Sequence, residues 1–212
     1  EMCGNGARCI ARYGYEKGLA GETQRVETTA GLVVGQRRDK RMYTVRLNDI
    51  TKFAQDVTAE IDGKTVQCDY LELGDPGLPH AVVLLDGDCA MTQEALRELG
   101  RKLRTNSAFP KGANVNFCRV IGENEVEELT YERGVEDFTL ACGTGTGSVV
   151  AALMRRGLVS GENTKVHVPG GELFITLNTD PQTQEITDIY LTGPTNIVAE
   201  GEVCDEELKV LL

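Results

Sequence analysis

Tryptophan is absent from this 212-residue chain, and histidine occurs only twice, as His80 and His167. No apolar run approaches the roughly 18 to 20 residues that cross a bilayer, and no stretch reads as a signal peptide. A membrane partner is therefore not expected, and the cytoplasm is the expected location. A metal site is not expected either: the two histidines form no spaced pair, and Cys3 and Cys9 lack zinc-like spacing. Basic charge is also short, with 22 Lys and Arg against 33 Asp and Glu and a net charge of −11. A phosphate backbone would be repelled, so nucleic acid is not an expected partner. The cluster Arg37-Arg38-Asp39-Lys40-Arg41 is short, is interrupted by an acid, and reads as a solvated turn.

Cysteine is present but not in a disulfide pattern. Seven cysteines, Cys3, Cys9, Cys68, Cys89, Cys118, Cys142 and Cys204, are an odd number and widely scattered. Apolar residues at 41% and charged residues at 26% describe an ordinary globular chain with enough length to bury a core.

Two stretches stand out as echoes of each other. Met2-Cys3-Gly4-Asn5-Gly6-Ala7-Arg8-Cys9 and Ala141-Cys142-Gly143-Thr144-Gly145-Thr146-Gly147-Ser148 each follow a cysteine with alternating glycines and then an apolar-periodic run. The cysteines lie 139 positions apart (142 − 3), about one small-domain length. This internal similarity predicts two related halves, each presenting a thiol at the start of a helix.

Periodicity predicts helices from Gly4 to Gly18, with Ala7, Ile10, Ala11, Tyr13 and Gly14 forming the apolar face; from Met91 to Thr105, capped by Thr92; and from Gly145 to Arg156. Strands are expected at 25–29, 32–36, 42–47, 65–73, 81–85, 113–120, 126–131, 165–168, 172–177, 186–192 and 197–200. Residues 48–60 carry little pattern beyond a short strand around Ala59, which the turn chemistry of Ile61-Asp62-Gly63-Lys64 joins to the strand at 65–73, and Gly74-Asp75-Pro76-Gly77-Leu78-Pro79-His80 reads as a rigid loop. Strands dominate with few helices, so the class is α+β. Expected boundaries are 1–50 for a first domain, 51–193 for a second, and 194–212 for a segment returning to the first.

A cysteine just ahead of a helix faces unpaired backbone N–H groups and the positive end of the helix dipole, both of which favour thiolate. The same N–H groups, uncovered by glycine, suit a carboxylate or phosphate. Two such elements in one chain predict a small anionic substrate held between Cys3 and Cys142. The other five cysteines read as buried small hydrophobes. Gly143-Thr144-Gly145-Thr146-Gly147-Ser148 lacks the lysine of a phosphate loop, and its glycines at i, i+2 and i+4 do not give dinucleotide-binding spacing.

The chain resembles the diaminopimelate epimerase family of cofactor-independent amino-acid racemases. The resemblance is carried by Glu1-Met2-Cys3-Gly4-Asn5-Gly6-Ala7-Arg8-Cys9, Gly77-Leu78-Pro79-His80, Ala113-Asn114-Val115-Asn116-Phe117, Tyr131-Glu132-Arg133-Gly134, Ala141-Cys142-Gly143-Thr144-Gly145 and Pro169-Gly170-Gly171. It implies two similar domains, each a curved and mainly antiparallel sheet around a central helix, with the active site in the cleft between them. It also implies roughly one further quarter of chain ahead of Glu1. By the same resemblance Cys3 and Cys142 are the acid–base pair, and Gly4, Asn5, Gly143 and Thr144 hold the reacting carboxylate. Asn114, Glu132 and Arg133 bind the distal end of a substrate with two amino-acid ends, and His80 and Glu132 lie close to the thiols. No cofactor is implied, the partner is a small amino acid in lysine and cell-wall precursor synthesis, and homodimer formation is left open. One residue departs from the family pattern: Leu78 stands where the family commonly has Asn. A leucine cannot hydrogen-bond a distal polar group, which leaves racemisation of another amino acid, such as histidine or lysine, as the alternative.

Overall fold

The structure is a computed structural model and describes residues 2–28, 31–87 and 89–201; Cys204 and the end of the segment 194–212 lie outside it. Three helices and twelve strands alternate along it: α1 (Gly4–Glu16), β1 (Thr23–Thr28), β2 (Gly31–Arg37), β3 (Met42–Arg46), β4 (Ile50–Ile61), β5 (Lys64–Leu73), β6 (Leu78–Leu84), α2 (Gln93–Arg104), β7 (Asn114–Gly122), β8 (Glu125–Glu132), β9 (Asp137–Phe138), α3 (Gly143–Arg155), β10 (Thr164–Val168), β11 (Gly171–Thr179) and β12 (Ile186–Pro194). The strands form one sheet in the order β1-β2-β3-β12-β11-β10-β8-β7-β6-β5-β4, with β9 added beside β8. The α+β class holds. The antiparallel ladder of β3 with β12, Val45 opposite Leu191, joins strands from both expected halves.

All pairings on this path are antiparallel except β6 with β7 and β8 with β10. Those two parallel pairs are closed by crossovers through α2 and α3. Both crossovers step one strand in the same direction across the sheet, but β8 runs opposite to β6. Right-handed connections then force α2 and α3 onto opposite faces. Side-chain alternation agrees. Ala81, Val83, Val115, Phe117, Leu129 and Tyr131 pack with Leu96 and Leu103 of α2. Val82, Cys118 and Val126 point the other way, into the cluster around Val149–Leu153 of α3.

α3 is buried along its whole run from Gly143 to Leu153. A helix without a polar face needs apolar partners all round. Val45, Leu71, Val82, Val126, Val166, Ile175, Ile189 and Leu191, drawn from seven strands, supply them. The sheet therefore curls about α3 and holds its N-terminus fixed.

Several expectations change. Residues 50–61 form one long strand where only a short one around Ala59 is expected; register shifts after Ile50 and Ala54 break the alternation ahead of it. The rigid loop is shorter than expected, because Leu78–His80 already belong to β6, with Pro79 opposite Glu72 near the strand start, where a missing N–H is tolerated. Residues 197–200 form no strand. Thr195 instead accepts a hydrogen bond from Arg12 on its carbonyl (2.6 Å) and donates its N–H to Arg41 O (2.8 Å). α1 buries only part of the expected face: Ala11 and Gly14 lie inside together with Arg8 and Arg12, while Ile10 and Tyr13 are 51% and 58% exposed. Gln24 fixes that rotation by donating to Ala11 O at 2.6 Å. Cys68 and Cys118 are buried as expected, but Cys9 and Cys89 are exposed.

Candidate active site

Each candidate thiol stands at the N-cap of a 13-residue helix in extended backbone geometry, Cys3 at φ −119°, ψ 103° and Cys142 at φ −120°, ψ 105°. The first helical hydrogen bonds are Ala7 N–H to Cys3 O (2.9 Å) and Thr146 N–H to Cys142 O (2.8 Å). The N–H groups of Gly4 and Asn5, and of Gly143 and Thr144, therefore have no intrahelical acceptor.

The two helix starts meet. A Cβ on Gly4 would lie 3.7 Å from Gly143 Cα and 2.7 Å from Leu191 Cδ2, and one on Gly143 would lie 3.5 Å from Gly4 Cα and 2.6 Å from the same leucine. An alanine at either position would therefore need the Leu191 side chain to shift. Asn5 fastens the junction: its Nδ2 donates to Ala141 O (3.2 Å), and its Oδ1 accepts from Arg8 Nη2 (3.0 Å).

A cleft of about 200 Å³ opens at this junction. Cys3, Gly4, Asn5, Asn114, Glu132, Arg133, Cys142, Gly143 and Thr144 line it, together with Met2, Leu78 and Ala141. The nine residues expected from sequence thus share one cavity, although they come from α1, β7, β8 and α3. Asn114 and Arg133 are locked together, since Arg133 N–H donates to Asn114 Oδ1 at 2.7 Å and Arg133 Nη1 donates to Lys111 O at 3.1 Å.

His80 is placed differently. It is fully buried, is not among the residues lining the cleft, and sets its Nδ1 3.3 Å from Asn116 Nδ2. Its Nε2 has no hydrogen-bond partner among the described residues. Burial, reinforced by the Arg133 charge, pushes the imidazole down to about 3, so it stays neutral.

The thiols differ in environment. Cys3 is exposed and its Sγ accepts the Gly6 N–H at 3.4 Å. Cys142 is buried, with Sγ 3.6 Å from Thr144 Oγ1. Burial pushes the Cys142 thiol up to about 12, with Glu132 and Glu128 adding to the shift and the Thr144 hydroxyl opposing it. The helix dipole alone predicts the opposite sign; desolvation outweighs it here.

Beneath the cleft lies a polar chain that the sequence reading missed: Asn116, Glu128, Thr130 and Thr146, all buried. Its signal was the strand alternation of β7 and β8, which turns these polar residues toward α3. Among the described residues no three His, Cys, Asp or Glu side chains gather as a metal site, and no helix is long and apolar enough to cross a membrane.

Comparison with known proteins accords with this geometry. The sequence profile of the family described as diaminopimelate epimerase matches residues 74–198. The diaminopimelate epimerase of Methanothrix thermoacetophila is 36% identical across the whole chain, which spans 73% of that protein. That of Aquifex aeolicus is 35% identical over 99% of the chain and 72% of its own length. The chain belongs to the diaminopimelate epimerase family. Among solved structures, a probable proline racemase from Agrobacterium radiobacter K84 superimposes with a TM-score of 0.63 at 18% identity, over 94% of this chain and 68% of that one. A PhzC/PhzF-type protein from Clostridium difficile gives 0.61 at 11% identity, over 97% and 74%. At such identities these likenesses concern the fold alone.

Proposed function

We propose that this protein is a cofactor-independent isomerase that interconverts LL- and meso-2,6-diaminopimelate, with Cys3 and Cys142 as its acid–base pair. The observation that carries the reading is the single cleft onto which both N-cap cysteines open. In the reaction one cysteine, as thiolate, takes the α-proton, and the other, as thiol, returns a proton to the opposite face. The α-carbon inverts, with no net change in atoms or charge. Proton transfer by a positioned group contributes roughly 10²- to 10⁴-fold.

The carbanion between the two transfers needs its charge absorbed. The N–H groups of Gly4 and Asn5 and of Gly143 and Thr144, at two facing helix N-termini, are preorganised to receive the substrate carboxylate. Burial keeps Cys142 as a thiol, the form that delivers a proton. The base in that direction is then Cys3. Arg133, Glu132 and Asn114 line the same cleft, where a second amino-acid end would meet a guanidinium, a carboxylate and an amide. Leu78, which also lines the cleft, offers only apolar contact.

The test is incubation with LL-diaminopimelate in deuterated water. Deuterium at the α-carbon and formation of the meso isomer are expected for the wild type, and neither for Cys142→Ser. Normal turnover by Cys142→Ser would end the two-thiol reading.

A further inference from the structure

Glu128 sits in the middle of β8 with 1% of its surface exposed, on the face covered by α3. Among the described residues no Lys or Arg forms an ion pair with it. Its Oε2 lies 2.7 Å from Thr146 Oγ1, and its Oε1 3.2 Å from Thr130 Oγ1. Each hydroxyl has a second oxygen within reach: Thr146 Oγ1 is 3.0 Å from Cys142 O, and Thr130 Oγ1 is 3.1 Å from Asn116 Oδ1.

These four contacts cannot all be hydrogen bonds if Glu128 is ionised. A hydroxyl carries one proton, so two protons would face four acceptor oxygens. A proton on Glu128 Oε2 changes the count. Glu128 then donates to Thr146 Oγ1, the Thr146 hydroxyl is released to donate to Cys142 O, and only the Thr130 contacts remain shared.

We propose that Glu128 is a positioning residue for Cys142, acting as a neutral carboxylic acid through the hydroxyl of Thr146. Thr146 belongs to the first turn of α3, and the carbonyl it engages is that of the N-cap cysteine itself. The relay fixes the cysteine backbone from below, opposite the cleft, while keeping negative charge away from a thiol that must become thiolate in one direction of the reaction. Burial raises the Glu128 carboxyl to about 7, against hydrogen bonds from Thr146 and Thr130. The titratable groups that feel its charge are Cys118, its register partner on β7, and Cys142 at the head of α3, both held as thiols by burial. Its other neighbours, Thr130, Thr146 and Asn116, are uncharged. This proposal rests on Cys142 being an acid–base group, so its test includes readouts that need no substrate.

The test compares wild type with Glu128→Gln, Glu128→Leu and Thr146→Val in the full chain. Glutamine keeps an acceptor for Thr130 and a donor for Thr146 but cannot ionise. Infrared spectra at pH 6 should show the carbonyl stretch of a buried carboxylic acid in wild type and lose it in Glu128→Gln. Above pH 8, Cys142 should be alkylated at least about threefold faster in Glu128→Gln than in wild type, where the carboxylate now opposes the thiolate. At pH 6, Glu128→Gln should keep the wild-type kcat within about threefold, whereas Thr146→Val should lose about tenfold in kcat with KM little changed. Glu128→Leu should match Thr146→Val; if it fails to fold, Glu128→Gln and Thr146→Val decide. A missing infrared band, coincident alkylation profiles, or a loss in Glu128→Gln as large as in Thr146→Val would overturn the proposal. A wild type that exchanges no α-proton but gives the expected band and alkylation profiles would count against the function and not against the relay.

Discussion

Cys3 and Cys142 occupy the same N-cap geometry, within two degrees in both φ and ψ, yet one thiol is exposed and the other is buried. The backbone motif is repeated and its surroundings are not. α1 lies against β2 and β3, whereas α3 runs through the middle of the core. Chemistry at the two positions should differ accordingly.

Alkylation should reveal that difference. At pH 8 a thiol raised to about 12 is ionised in only about one molecule in 10⁴, so Cys142 should resist iodoacetamide. Cys3, Cys9 and Cys89, all exposed, should be labelled first, with Cys68, Cys118 and Cys142 protected. Peptide mapping by mass spectrometry gives the order, and labelling of Cys142 as fast as Cys3 would refute the asymmetry.

The glycine junction should tolerate no side chain. Gly143→Ala drives a methyl group to 2.6 Å from Leu191 Cδ2 at a site packed against Gly4. Overpacking of this kind costs about 1 to 3 kcal/mol, and displacing either helix start should also depress turnover. The same substitution at Gly21, where an added Cβ meets nothing within 4 Å, should change stability by less than about 0.5 kcal/mol. Thermal melts of the two variants separate a steric effect from a general intolerance of alanine.

Arg133 should govern binding of the distal end. Loss of a hydrogen bond to a charged group costs about 1.5 to 3 kcal/mol, so Arg133→Ala should raise KM for diaminopimelate roughly 10- to 150-fold and change kcat less. Leu78→Asn puts a polar group into the same cleft and should lower that KM. An unchanged KM in Arg133→Ala would place the distal end elsewhere.

Stability should fall at alkaline pH. Cys68 and Cys142 are each raised to about 12 by burial, and Cys118 is raised further. The unfolded chain releases these protons near pH 8.5 while the folded one retains them. Their contribution is therefore whole below about pH 8.5 and is lost toward pH 12, at about 1.4 kcal/mol per pH unit for each thiol. Urea titrations at pH 8 and pH 10 should show the decline, and Cys68→Ala should reduce its slope. An equal midpoint at both pH values would contradict the burial of these thiols.

Much of this site was legible along the chain. Alternating glycines after Cys3 and Cys142 announce two helix starts, because only local backbone chemistry is involved. Thr92 marks α2 in the same way and caps it as expected, its hydroxyl oxygen accepting the Ala95 N–H at 3.2 Å. Asp62 and Gly63, both at positive φ, make the tight hairpin between β4 and β5 that their turn chemistry predicts. What stayed hidden depended on distant partners. The bulges of β4 are set by its pairing with β5, and the buried Arg12 of α1 donates to the Thr195 carbonyl, 183 residues along the chain.

The sequence by itself determined which residues could do acid–base chemistry and where their helices begin, since capping and glycine freedom act within a few residues. Tertiary structure decided that the two helix starts meet, that Cys142 is buried while Cys3 is not, and that Glu128 ends beneath the second thiol. Desolvation and close approach depend on what the rest of the sheet brings to the same place, and no local pattern records that.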